Sequence, residues 1–98
     1  MNVHDKLIRM LRQLLEDTHT MQSQGAGYYS CIPLAARYNK LLAQATKLFA
    51  EDEDLIGMFE PIPEEDPKDP AAKMIIVQRI RIEINQLVSL LDSERPED

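Results

Sequence analysis

Residues 70–91 read PAAKMIIVQRIRIEINQLVSLL, and this stretch decides the fold class. Its main apolar residues recur every three or four positions, which places them on one side of an α-helix; they are Val77, Ile80, Ile84, Leu87 and Leu91. Asp69 is a typical N-cap residue, and Pro70 suits the first helical turn. We therefore predict a helix over residues 70–92.

A β-strand is the competing interpretation of the middle of this stretch. Residues 80–84 alternate isoleucine with charged residues, which is typical of a half-buried strand. The alternation covers only these residues, whereas the helical stripe continues to Leu91, and no second strand is predicted for pairing. The pattern favours a helix.

Two earlier segments show the same helical spacing. Residues 3–22 carry one stripe and residues 33–50 carry another; the stripe residues are Leu7, Leu11, Leu14, Thr18, Met21, Leu34, Tyr38, Leu41, Ala45 and Leu48. Asn2 or Asp5 can cap the first helix, and the glycines of residues 25–27 end it. Ser30 can cap the second helix, which Pro33 suits at its first turn.

The linker, residues 51–69, is acidic and rich in proline. Nine acids against one lysine give residues 51–70 a net charge of -8. Residues 52–59 begin with acids, as a short helical turn prefers, and the prolines that follow bias the chain toward an extended path, which we expect to be mobile. Four residues are too apolar for a free linker, so we expect them to fold back as a lid over one end of the bundle; they are Leu55, Ile56, Phe59 and Ile62.

These elements predict one all-α domain over residues 1–98. It is an antiparallel three-helix bundle with a short acidic helical turn and a Pro-rich linker before the third main helix, and it ends in an acidic tail, residues 93–98. A chain of this length can bury a core without a metal or a disulfide.

The third main helix is apolar on more than one side. Ile75 and Ile82 lie opposite the core stripe, and Ile76 and Leu90 lie well off it. A helix that is apolar on two sides has to bury both. The cover is either the lid or a second protein molecule, and we favour a homodimer with Ile75, Ile76, Ile82 and Leu90 as its association surface.

Composition excludes several classes of protein. Scattered bases beside an acidic belt disfavour nucleic-acid binding, and the net charge of the chain is -6. The longest apolar run, residues 74–77, is far shorter than the roughly 20 residues that span a bilayer. A single cysteine, Cys31, forms no internal disulfide, so we expect a cytoplasmic protein with neither a cofactor nor a metal.

His19 carries the alternative function. Glu16 and His19 have the Glu-x-x-His spacing of helical metal ligands, but the unit occurs once where di-iron bundles need two. Arg12 and His19 enclose six residues, a spacing that resembles the HEPN-type ribonucleases, although Gln13 departs from the residues usual after that arginine. A histidine on a helix is also similar to histidine phosphotransfer domains, but residues 20–23 lack the Lys and Gly that follow it there.

The function predicted from the sequence is therefore protein–protein contact, self-association included, by a non-enzymatic helical protein. The alternative is a small all-helical enzyme or phosphotransfer domain that uses His19 with Arg12 or Glu16. A catalytic role requires His19 to line a pocket with its partner in hydrogen-bonding reach, whereas a contact role requires an exposed apolar surface.

Overall fold

Four helices build the fold in the computed structural model, which describes residues 2–24 and 30–94. They are α1 (Val3–Gln24), α2 (Ile32–Leu48), α3 (Glu53–Ile56) and α4 (Pro70–Ser93). The described ranges contain no strand, and residues 80–84 lie inside α4, so the predicted all-α bundle is confirmed. The predicted helix end at residues 25–27 and most of the tail, residues 95–98, lie outside the described residues.

The helix starts follow the sequence signals in part. The Asp5 amide donates to Oδ1 of Asn2 at 2.8 Å, so Asn2 caps α1. The Ile32 amide donates to Oγ of Ser30 at 3.2 Å, immediately before α2. Asp69 occupies the N-cap position of α4 but makes no side-chain cap hydrogen bond. The start of α4 therefore depends on Pro70, whose fixed φ suits a first helical turn.

Helix α1 runs antiparallel to both other long helices, whereas α2 and α4 run in the same direction. The start of α1 meets the end of α2, where the rings of His4 and Phe49 lie 6.3 Å apart. Near the end of α1, Gln22 contacts Arg81, in the first half of α4. Contacts between α2 and α4 follow the same order along both helices: Cys31 contacts Lys73, and further along both helices Tyr38 contacts Glu83.

The core lies between these three helices. Helix α1 contributes Leu7, Ile8, Leu11 and Leu14, α2 contributes Ala35, Tyr38, Leu41, Leu42 and Ala45, and α4 contributes Ile80, Ile84, Leu87 and Leu91. A smaller cluster of Met21, Cys31 and Val77 closes the bundle where α1 ends. Each stripe predicted from helical spacing thus supplies buried residues to the same core.

Because α2 and α4 are parallel, the chain has to travel back along the bundle between them. Helix α2 is about 26 Å long, and ten residues of extended, proline-rich chain reach about 31 Å. Residues 59–69, which we call the strap, make this return in the groove between α2 and α4. Glu60 contacts Arg79 at 3.4 Å, and Asp66 contacts Lys73 at 2.9 Å, so the strap runs antiparallel to α4.

Asn39 anchors the strap to α2 with both of its amide atoms. Its Nδ2 donates to the Ile62 carbonyl at 2.8 Å, and the Ile62 amide donates to its Oδ1, also at 2.8 Å. The Ile62 side chain is 1% exposed and belongs to the core. The Asn39 side chain thus supplies the hydrogen-bond partners that the backbone amide and carbonyl of Ile62 would otherwise lack.

The predicted lid residues dock in two parts: Leu55 and Ile56 belong to α3, which follows the end of α2, whereas Phe59 and Ile62 belong to the strap along the groove. Ile56 and Ile62 are buried and Phe59 packs partly buried against the core, while Leu55 remains 39% exposed. The segment is extended, as the prolines predict, but its contacts with α2 and α4 argue against the expected mobility. Among the described residues, no helix combines the length and the apolar character that crossing a membrane requires.

We expect Asn39→Ala to lower the free energy of unfolding by about 1–3 kcal/mol, because it leaves a buried backbone amide and carbonyl unpaired. Urea denaturation measures the change, and hydrogen exchange of the Ile62 amide reports the strap directly. The control is Gln44→Ala, which removes an exposed amide of α2 and should alter stability by about 0.5 kcal/mol or less. An Ile62 amide that exchanges freely in the wild type would contradict the docked strap.

Candidate functional site

The outer face of α4 is the candidate association surface. We define it by the exposed residues along its centre line, which are Ala71, Ile75, Gln78, Ile82, Asn85, Gln86 and Ser89. The Ile75 side chain is 65% exposed and that of Ile82 58%. These seven residues are uncharged, in a chain whose residues are 29% charged, and the exposed Arg79 lies beside them at the edge of the face. Depletion of charge around exposed apolar anchors is the compositional mark of an interface core.

Ionic groups border the outer face on both sides. On the strap side, Arg79 lies 3.4 Å from Glu60. On the α1 side, Arg81 donates to Oε1 of Gln22 at 2.9 Å and its Nη2 lies 3.3 Å from Nε2 of His19. The Arg81 Nε is buried and has no hydrogen-bond partner among the described residues. A shallow depression of about 240 Å³ beside Ile82 is lined by Gln78, Arg81 and Asn85.

Only two of the four predicted surface residues belong to the outer face. Ile76 and Leu90 are partly buried and pack against the core. Both are seven residues away from Glu83, which accepts a hydrogen bond from the Tyr38 hydroxyl of α2 at 3.1 Å. Residues at this spacing share one side of a helix, so Ile76 and Leu90 lie on the side of α4 that faces α2. Helix periodicity identified their departure from the core stripe but not the neighbour that covers them.

His19, Arg12 and Glu16 are all exposed on α1. Arg12 and His19 are two helical turns apart, about 10 Å along the axis. In the alternative function His19 works with Arg12 or Glu16; in the structure, Nε2 of its imidazole lies 3.3 Å from Nη2 of Arg81 in α4. A neutral His19 protonated at Nδ1 accepts this hydrogen bond at Nε2, which occupies the atom that a nucleophile or base would use.

Two buried side chains, Tyr38 and Lys73, each pair with a carboxylate of another element. Burial and the neighbouring Glu83 raise the pKa of Tyr38, so its hydroxyl stays protonated and donates to that carboxylate. Asp66 accepts from Lys73 Nζ at 2.9 Å, and this contact lowers the pKa of Asp66 below its ordinary value.

Cys31 lies beside the Asp66–Lys73 pair. Its amide also bonds to Asp66, and its thiol bonds to the Lys73 carbonyl at 3.8 Å. Burial raises the pKa of the Cys31 thiol, against a smaller lowering by Lys73, so the thiol is protonated and unreactive. The arrangement ties the start of α2, the strap and α4 together, and it is structural.

Sequence reasoning missed the anchoring residues Asn39, Asp66 and Lys73. No local signal distinguishes Asn39 from a surface amide, because its partner is 23 residues away. Lys73 is 6% exposed, and its place in the first turn of a predicted helix gives no sign of this burial. Within residues 2–24 and 30–94, no three His, Cys, Asp or Glu side chains group as metal ligands.

We expect Asp66→Asn to destabilise the protein near neutral pH, with a difference from the wild type that shrinks below about pH 4. A carboxylate whose pKa is lowered by folding stabilises the fold above its unfolded pKa. That contribution is lost as pH falls through the folded pKa. Urea unfolding at both pH values measures it, with Glu65→Gln as the control at an exposed neighbouring carboxylate. An equal difference at both pH values would contradict the Asp66–Lys73 pair.

Substitution of His19→Ala is expected to change the free energy of unfolding by about 0.5 kcal/mol or less, because the imidazole is exposed. Urea denaturation and metal analysis of the purified protein test this expectation. A tightly bound metal that is present in the wild type and lost in the variant would establish a functional site at His19.

Comparison with protein-family models, curated proteins and solved structures finds no match to this chain. Inference about function therefore depends on the geometry and chemistry of its own residues. Among the described residues, the feature that calls for a binding explanation is the uncharged outer face of α4 with its two exposed isoleucines.

Proposed function

We propose that this protein is a non-enzymatic helical module that acts by protein–protein contact through the outer face of α4. The observation that carries the proposal is the exposure of Ile75 and Ile82 at the centre of an uncharged surface. The α1, α2 and strap contacts of α4 leave this face open. Contact with a partner removes both isoleucines from water, and self-association to a homodimer is the form we expect.

The energetics support a contact of modest strength. Complete burial of an isoleucine side chain contributes about 1.5–3 kcal/mol, and each of these side chains is more than half exposed in the monomer. A contact therefore gains about 1–2 kcal/mol for each one. Association costs at least about 4 kcal/mol in lost freedom, so two isoleucines on each partner give a weak complex.

The chemistry of the remaining groups supports a contact role rather than a catalytic one. His19 Nε2 and the Asp66 carboxylate are engaged by cationic side chains, and the Cys31 thiol is buried. A lone buried thiol suits a reducing compartment, and we propose that the protein acts in the cytoplasm. The acidic strap disfavours a nucleic acid as the partner.

We expect a photo-crosslinking residue at position 82 to form protein adducts when the chain is irradiated in the cells that produce it. The reason is that Ile82 is the exposed apolar centre of the surface. The matched control is the same residue in place of Gln44, which is exposed on α2 between Lys40 and Lys47. Mass spectrometry identifies the adducts whatever the partner is. Equal adducts at both positions, or none at position 82, would contradict the proposal.

A further inference from the structure

From the proposed function of the outer face of α4, we infer that its partner is a second copy of this chain. The two copies pack their α4 helices in parallel about a two-fold axis that runs along the helices. Ile75 and Ile82 of each copy then meet the same residues of the other. This inference rests on the proposed function and adds to it the residues that meet across the dimer and the orientation of the two copies.

The chemistry of the outer face is complementary to itself. Gln78, Asn85 and Gln86 carry amides, and Ser89 carries a hydroxyl, so each has both a hydrogen-bond donor and an acceptor. Such groups pair with identical groups, whereas an acidic or a basic surface repels its own copy. Isoleucine against isoleucine is likewise a favourable pair. A two-fold interface requires this self-complementarity, because the same patch serves both partners.

The spacing of the outer face matches a two-stranded helical pair. Ile75 and Ile82 are seven residues apart, at position a of a heptad, and Gln78 and Asn85 are at position d. A β-branched residue at position a is typical of parallel two-stranded coiled coils. Polar amides at d cost stability relative to the leucine that is typical there. The expected dimer is therefore weak.

Charges at the edges of the outer face favour the parallel orientation. Arg79 falls at position e and Arg81 at position g. In a parallel pair, g residues meet e residues of the partner, so Arg81 lies next to the partner's Gln86. In an antiparallel pair, e residues meet e residues of the partner and g residues meet g residues. Arg79 then lies against the partner's Arg79, and Arg81 lies against the partner's Arg81. Repulsion between these like charges disfavours the antiparallel pairing.

The flanks of α4 are also complementary in the parallel arrangement. Rotation about an axis along the helix brings the α1 side of one copy against the strap side of the other. Arg81 then lies on the side of the partner's Glu60. Arg79 already pairs with the Glu60 of its own chain at 3.4 Å, so the strap side carries both signs of charge. In the parallel pair, therefore, neither Arg79 nor Arg81 has only the same arginine of the partner as its neighbour.

Disulfide trapping tests both the partner and the orientation. Ile75→Cys and Ile82→Cys are prepared in the full chain, where native Cys31 is buried and wild type serves as its control. We expect each variant alone to form a disulfide-linked dimer, because a disulfide needs Cα atoms within about 7 Å. Met10→Cys, at another exposed apolar residue, controls for random collision. Cross-linking that appears only when the two variants are mixed would overturn the parallel orientation.

Sedimentation equilibrium measures the free association. We expect the wild type to dimerise reversibly at millimolar concentration, because a net gain of about 4 kcal/mol corresponds to a dissociation constant of about 1 mM. Ile82→Lys should raise the dissociation constant about 100-fold while circular dichroism stays helical, and Met10→Lys should leave it unchanged. A wild type that stays monomeric to millimolar concentration would overturn the second copy, while photo-crosslinks at position 82 would still support the proposed function. A dimer indifferent to Ile82→Lys would overturn both.

Discussion

The paired hydrogen bonds between Asn39 and the backbone of Ile62 are the interaction on which the rest of the structure depends. Parallel neighbours in a bundle need a connection as long as the helix itself, and an extended chain has no internal hydrogen bonds. Asn39 satisfies the backbone at the one strap residue whose side chain enters the core. Without that anchor, the groove between α2 and α4 would expose apolar surface along its length.

The strap determines which side of α4 is left for a partner. With α1 on one side and α2 and the strap on another, Ile76 and Leu90 are covered, whereas Ile75 and Ile82 are not. Docking also places the acids close to basic residues, with Glu60 beside Arg79 and Asp66 beside Lys73. The strap, whose five acids and one lysine give a net charge of -4, is thereby held against basic residues of α4.

Much of this fold could be predicted from the sequence, because helical spacing reports directly on burial within one helix. The stripes from Leu7 to Met21 and from Val77 to Leu91 are buried throughout, whereas the second stripe is buried only from Tyr38 to Ala45: Leu34 is partly buried and Leu48 is 36% exposed. Spacing could not show that α4 runs parallel to α2, since both directions bury the same stripe. It also could not separate Ile76 from Ile75, because the difference depends on a neighbour supplied by distant residues. The pairing of His19 with Arg81 was missed for the same reason: the two residues are 62 positions apart.

The central claim is that the strap covers one side of α4 permanently while a second protein surface covers the other. Isoleucine methyl NMR with a soluble paramagnetic agent, recorded over a range of protein concentrations, tests it in one experiment. The account predicts that the Ile62 methyl is protected at every concentration, whereas those of Ile75 and Ile82 are bleached in dilute protein and become protected as concentration rises. Methyls of Ile75 and Ile82 that are protected in dilute protein would contradict the account, as would an Ile62 methyl that is bleached throughout.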